Sequence, residues 1–332
     1  MIPWREVQRK NFVRFSDLAD YLDLSPENRT LCLPDPKFRL NLPLRLAAKM
    51  EKNNLQDPLF LQFVPLRKEL DQAEGYLVDP VCDANYRLSK KTLKKYAGRA
   101  LILVSSACAM HCRYCFRQNF DYETENVNDE EELQVIRSDP TIEEVILSGG
   151  DPLSLSDQRL KVYLHGLDSI PHVQRIRFHT RFPIGIPERI DDSFLALLAS
   201  IKKKIYFTIH TNHPKELDEE VLGALSRVGR LGIPLITQSV LLKGVNDRPE
   251  VLLELCQTLV NAGILPYYLN LLDQVSGTAH FAVSAEEGLR LIEYVQNRLS
   301  GYGVPRLARE IPGSLSKTTN IERITSFQPK GN

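Results

Sequence analysis

The stretch ALILVSSACAMHCRYCFRQNF, Ala100 to Phe120, decides the fold. Its first six residues are a short apolar run of the kind a buried strand presents. Behind that run, Cys108, Cys112 and Cys115 fall within eight residues, and Arg117 follows them. Chemistry delivered just past the carboxyl end of a strand is the arrangement of α/β proteins, whose ligands bind on that side of the sheet.

Working outward, five more strand-like runs follow: EEVILS (143–148), VQRIRFHT (173–180), KIYFTIHT (204–211), IPLITQSV (233–240) and ILPYYLNLL (264–272). Segments of helical periodicity separate them, such as SDQRLKVYLHGL (156–167), DDSFLALLASIKK (191–203), KELDEEVLGALSRVG (215–229) and RPEVLLELCQTLVNAG (248–263). Alternation at this spacing predicts a parallel α/β sheet. Polar chemistry sits at the carboxyl end of every run: the cysteines, SGGDPL (148–153), His179 with Arg181, His210 with Asn212 and His213, Gln238, and Asp273. Six units instead of eight predict a partial (β/α)6 TIM-like barrel with a wide mouth, an open doubly wound sheet being the alternative. Residues 1–98, polar and rich in turns, predict a mostly helical N-terminal cap. Residues 99–300 form the barrel, and 301–332 a short C-terminal segment. Ser284 and Glu287 predict a capping box for a last helix that Gly301 ends.

The chain has 332 residues, with 42 Lys and Arg against 42 Asp and Glu. Zero formal charge argues against a nucleic-acid binder that works through a strong overall field. The amino terminus lacks a signal-peptide pattern, and no apolar run approaches the roughly 20 residues a bilayer demands. The expectation is a cytoplasmic protein without membrane contact, where clustered cysteines bind metal more readily than they pair. Cys256 lies among apolar helix positions and reads as a buried hydrophobe.

Three cysteines spaced C-x3-C-x2-C have three readings: a zinc site completed by His111 or a distant residue, an iron–sulfur cluster with one open iron, or incidental buried thiols. A closed zinc tetrahedron usually draws on a second pair of ligands, and the sequence has no second C-x2-C.

The spacing, on a loop after a first barrel strand, resembles the radical S-adenosylmethionine superfamily. The resemblance implies a [4Fe–4S] cluster on Cys108, Cys112 and Cys115, with S-adenosylmethionine on the open iron. Ser148, Gly149, Gly150 and Asp151 match that superfamily's glycine-rich stretch, where glycines admit the methionine part of the cofactor. From about residue 90 the chain resembles the lysine 2,3-aminomutase family, through HCRYCFR, HTNHP, QSVLLKGVND, PYYL, SGTAHF and SGYGVP in order. Within it, the likeness is nearest to the short enzymes whose (R)-β-lysine modifies elongation factor P.

The resemblance implies that Lys317, in EIPGSLSK, binds pyridoxal 5′-phosphate covalently. It places Lys95, Tyr96, Arg99 and Gln238 against that cofactor, His210 against S-adenosylmethionine, and Arg117 on the substrate carboxylate. The resemblance also implies that Asp273 and Glu310 hold the distal ammonium of L-lysine. It further implies an electron donor such as flavodoxin or ferredoxin, and a ligase that passes β-lysine to elongation factor P. Glu310 and Lys95 stand where longer mutases carry aspartate and arginine. Those enzymes also have a zinc-binding cysteine tail, whereas 15 residues follow Lys317 here, so zinc is not expected. The alternatives are an aminomutase for arginine or glutamate, and a non-catalytic iron–sulfur or zinc interaction module.

Overall fold

The computed structural model describes residues 2–122 and 128–327. Eight strands form one sheet in sequence order. They are β1 (Thr92–Tyr96), β2 (Arg99–Ser105), β3 (Glu144–Gly149), β4 (Arg175–Thr180), β5 (Lys204–Ile209), β6 (Leu235–Val240), β7 (Leu265–Asn270) and β8 (Arg306–Ala308). The six expected runs are β2 to β7, all parallel. Two strands were not foreseen. β1 joins the sheet antiparallel from within the stretch assigned to the cap, and three-residue β8 adds a parallel edge from the C-terminal segment. The order is that of a partial TIM-like barrel.

Crossovers are the helices α1 (Asp129–Ser138), α2 (Asp157–Asp168), α3 (Asp192–Ala199), α4 (Glu219–Gly229), α5 (Pro249–Asn261) and α6 (Ala285–Gln296). Their starts are written locally. Asn128, Ser156, Asp191, Asp218 and Ser284 each accept a backbone N–H of the first turn, and Pro249 opens α5. Ser284 caps α6 by accepting Glu287 N–H, but the Glu287 carboxylate pairs with Arg290 in place of closing the expected box; α6 stops at Gln296, and Gly301 begins a short 3-10 turn.

The period of two along each strand divides the barrel. Ala100, Ile102, Val104, Val145, Leu147, Ile176, Phe178, Phe207 and Ile209 are buried in the core shared with the helices. Their alternates, including Arg99, Leu101, Glu144, Ile146, Ser148, Arg177 and His179, face the interior cavity. A polar interior is the consequence of a barrel too wide to fill with its own side chains.

Short helices from Trp4–Gln8 to Pro58–Phe63 cover the cysteine loop. Asn41 donates to the Cys108 carbonyl at 3.1 Å, and Asn11 to that of Ala109 at 2.8 Å. The backbone N–H of Arg113 donates to the Gln62 carbonyl at 2.8 Å, and its buried guanidinium pairs with Glu69 and the Phe38 carbonyl. His111 stacks on Phe38 with ring centroids 4.6 Å apart, and its Nδ1 lies 2.8 Å from the Arg39 carbonyl.

The cysteine loop is pinned from the other side by the glycines after β3. Gly150 N–H donates to Ser105 O at 2.7 Å, and Asp151 N–H to Ala107 O at 2.8 Å. A Cβ on Gly149, whose φ is +122°, would sit 2.3 Å from Ser105 O, and one on Gly150 2.5 Å from Ala107 O. The space their side chains would take is filled by the cysteine loop's own backbone.

This closure generates a paired test. Gly150→Ala forces backbone against backbone and is expected to cost about 1–3 kcal/mol. Gly223→Ala, at an exposed position of α4 with nothing within 4 Å of the new Cβ, is expected to gain about 0.5–1 kcal/mol. Thermal or urea unfolding of the two variants reads the difference.

Candidate functional site

The three cysteines sit behind the interior cavity as free thiols. Burial pushes all three up. Cys115 rises to about 11, with the neighbouring Cys112 adding to it, and Cys108 rises well above the usual thiol range through burial, Asp151 and its two partners. Cys112 is raised by burial, and the Arg181 guanidinium opposes the rise. Three thiolates repel one another here unless a cationic centre lies between them. That donor chemistry fits an iron–sulfur cluster. Among the described residues, no three His, Cys, Asp or Glu side chains close on a single metal ion.

Asp151 does not offer its side chain to a ligand. One carboxylate oxygen accepts Leu153 N–H at 2.9 Å and Thr180 Oγ1 at 2.7 Å. The other accepts Arg181 N–H at 2.7 Å and Phe182 N–H at 3.0 Å. A carboxylate has about four acceptor positions, and all are taken. Burial raises this group to about 6 in spite of the four donors.

The cavity itself has a volume of about 320 Å³. Lys95, Tyr96, Arg99, Gln238 and Lys317, the group expected around pyridoxal phosphate, all line it. So do Arg117, Asp273 and Glu310, expected around the substrate, together with Ser148 and His210. Gly149, Gly150, Asp151 and the cysteines lie outside its lining.

Lys317 reaches the cavity because Arg309 and Thr318 pair as a short antiparallel bridge, which folds the intervening loop back over β8. Its Nζ donates to Asn270 Oδ1 at 2.8 Å, at the end of β7, and lies 5.4 Å from the Tyr268 ring centroid. Burial lowers its pKa, against the pull of Glu310 and Asp273. A lysine held partly towards the neutral amine is the form able to attack a carbonyl.

Three cations share this wall. Arg99 lies over the Tyr96 ring at 4.6 Å, Arg177 pairs with Glu144 at 2.6 Å, and Lys95 pairs with Asp83 at 3.0 Å and Glu310 at 3.4 Å. The Nε of Arg177 is buried without a hydrogen-bond partner among the described residues, as are the Nε2 atoms of His179 and His210. Burial holds His210 down to about 3 and His179 well below its usual range, so both rings are neutral. An unspent Arg177 N–H and unpartnered imidazole nitrogens beside clustered cations fit an anionic, polar occupant such as a phosphate ester.

Arg117 is not free. Its Nε and Nη2 both donate to Asp83 Oδ2 at 2.9 Å, so one edge of the guanidinium is fixed while the residue still lines the cavity. The two expected ammonium-binding acids differ. Glu310 accepts from Tyr96 Oη and pairs with Lys95. Asp273 makes no side-chain hydrogen bond or ion pair among the described residues, and burial raises it to about 6 with Lys317 opposing.

Sequence reading missed Asp83, Arg177, Asn270 and Tyr268. Arg177 carried a signal, since it stands two residues before His179 on one face of β4. Asp83 carried none, because the partners that give it meaning lie 12 and 34 positions away in sequence.

A family model described as the radical SAM superfamily matches residues 102–256, from β2 through most of α5. The L-lysine 2,3-aminomutase of Haemophilus influenzae is 44% identical over 289 residues, covering 86% of this chain and 85% of that protein. That of Escherichia coli is 39% identical over 307 residues, covering 91% and 90%. Among solved structures, Streptococcus suis SuiB aligns with a TM-score of 0.50 at 17% identity, over 65% of this chain and 50% of that one, a likeness of fold alone. With relatives this similar over most of both lengths, the chain belongs to the lysine 2,3-aminomutase family of the radical SAM superfamily.

Proposed function

We propose that the protein is a pyridoxal-phosphate-dependent lysine 2,3-aminomutase, converting L-lysine to β-lysine by moving the α-amino group to C3. The observation that carries the reading is one cavity shared by a buried, charge-disfavoured Lys317, a wall of three cations, and two acids. When bound, the cluster with S-adenosylmethionine supplies a 5′-deoxyadenosyl radical that takes hydrogen from carbon, and pyridoxal phosphate supplies the carbonyl that holds the migrating nitrogen.

The chain's own residues divide the remaining work. Lys317 presents its amine, aimed by Asn270. Arg99, Arg177 and Lys95 supply the field for a phosphate. Arg117, its plane fixed by Asp83, offers its remaining N–H groups to the amino-acid carboxylate. Asp273 receives the distal ammonium, with Glu310 beside it, and this acid end disfavours glutamate as a substrate. Neutral His179 and His210 offer hydrogen bonds to S-adenosylmethionine without adding charge beside its sulfonium. The helices and turns that precede β1 act as the cap that keeps water from the cysteine loop. In the cytoplasm, flavodoxin or ferredoxin would supply the electron, and (R)-β-lysine would pass to an elongation factor P ligase. Neither partner is read from the cavity.

The deciding experiment is anaerobic reconstitution with iron and sulfide, followed by an assay of lysine, arginine and glutamate with S-adenosylmethionine, pyridoxal phosphate and dithionite. Chiral analysis of the product follows. The expected outcome is (R)-β-lysine from lysine alone. Borohydride reduction is expected to fix pyridoxal phosphate on Lys317 and not on a Lys317→Ala chain, and labelling elsewhere would overturn that role.

Asp273 gives a pH-dependent test. Its folded value of about 6 lies above the ordinary 3.8, so between these values the unfolded chain releases a proton that the folded chain keeps. Stability contributed by the neutral form is present at low pH and is lost as pH rises through that window. Asp273→Asn is therefore expected to raise the thermal midpoint of the empty protein at neutral pH and to leave it unchanged well below the window. The same change removes a charged hydrogen-bond acceptor and should raise the KM for lysine by about 10–100-fold. Wild-type lysine affinity in the variant would exclude Asp273 from the ammonium site.

A further inference from the structure

Arg181, the first residue after β4, is buried and points away from the cavity just described. Its backbone N–H is held by Asp151, and its side chain runs behind the cysteine loop. Nη1 donates to Cys112 Sγ at 3.0 Å and also contacts Tyr114 Oη. Nη2 donates to Gln62 Oε1 at 2.7 Å and to Glu216 Oε2 at 2.8 Å. The guanidinium also lies 4.8 Å from the Phe63 ring centroid. Three parts of the chain, the helix Pro58–Phe63, the cysteine loop and the turn after β5, therefore fix one cation against one sulfur.

Glu216 is its counter-charge, and it is fully buried. It accepts in addition from Asn212 N–H and His213 N–H at 3.1 Å, from Thr211 Oγ1 at 3.1 Å and from Gln62 Nε2 at 3.0 Å. These donors hold the carboxylate in place without Arg181. The cation beside the sulfur is thus only partly balanced, and it cannot swing away.

We propose that Arg181 sets the reduction potential of the iron–sulfur cluster through its charge-assisted hydrogen bond to Cys112, and that Glu216 moderates the effect. The proposal rests on the reading of Cys108, Cys112 and Cys115 as cluster ligands. One-electron reduction adds negative charge to the cluster and its sulfurs. A donor and a positive charge at a ligand sulfur stabilise that state, which raises the potential. Arg181 touches neither substrate nor the cavity, so it is a positioning residue, and its influence is read in the cluster itself.

The two charges predict opposite signs. Arg181→Gln removes the cation and leaves Glu216 facing the cluster, so the potential falls. Glu216→Gln leaves the cation unmoderated, so the potential rises. EPR-monitored redox titration of the anaerobically reconstituted full chain, without S-adenosylmethionine or lysine, reads both. For Arg181→Gln, the reduced-to-oxidised ratio at the wild-type midpoint should fall at least tenfold, about 59 mV for a one-electron couple. Glu216→Gln should move the opposite way. Iron and sulfide analysis accompanies each titration. Wild-type potentials in loaded variants overturn the proposal, as do shifts of the same sign. If one variant fails to load iron, the other decides. If both fail while wild type loads, Arg181 is a structural brace and the tuning role is overturned. A wild-type chain that takes up no iron refutes the cluster reading instead, which is a separate result.

Discussion

Four hydrogen bonds converge on the carboxylate of Asp151, and the rest of the site is positioned from that point. They come from its own loop, from the end of β4 and from the two residues after it. In the same turn, the Gly150 and Asp151 amides reach back to the cysteine loop. Three consecutive strand ends are thus locked at a spacing that tolerates no Cβ on either glycine. A carboxylate so enclosed is costly to ionise, and its raised pKa registers that cost, yet each lone pair has a donor. The junction holds because every acceptor position of the carboxylate has its donor.

Around this junction the protein buries several ionisable side chains. Arg113 with Glu69, Arg181 with Glu216, and Arg117 with Asp83 and Lys95 are pairs or triads of opposite charge, each tying the cap or its neighbouring turns to the barrel mouth. Such pairs contribute little net stability, since desolvation offsets their attraction. What they supply is a fixed direction for each guanidinium. The uncompensated groups lie elsewhere, in the cavity, where Lys317 is pushed towards the neutral amine and Asp273 towards the neutral acid. A site that leaves a base and an acid short of partners is arranged to be completed by a ligand carrying charges of its own.

The N-terminal helices are short, and none has the length to be stable alone. Their packing against the barrel, through contacts such as Trp4 on Phe182, gives them order. In return these helices and the turns between them present the side chains of Asn11 and Asn41 and the backbone carbonyls of Phe38, Arg39 and Gln62 to the cysteine loop. Cap and loop are therefore one folding problem, with many contacts of long sequence separation. The same region carries the chemistry of the cysteines and the least local secondary structure.

Much of the architecture was legible along the chain, since strand and helix periods are properties of neighbouring residues. Six strands, their parallel order and the side of the sheet that bears the chemistry follow from alternation, from caps such as Ser284, and from the spacing of three cysteines. β1 and β8 escaped that reading because they are short edge strands, defined by their partners rather than by a pattern of their own. The residues carried over from the family's motifs were likewise legible as residue types. Their states were not. That Asp151 is saturated, that Arg117 is tied to Asp83, that Glu310 is shared with Tyr96, and that Arg181 meets a sulfur are consequences of distances between segments remote in sequence. Hydrogen-bond satisfaction and desolvation depend on who stands within a few ångströms, and only the folded chain decides that.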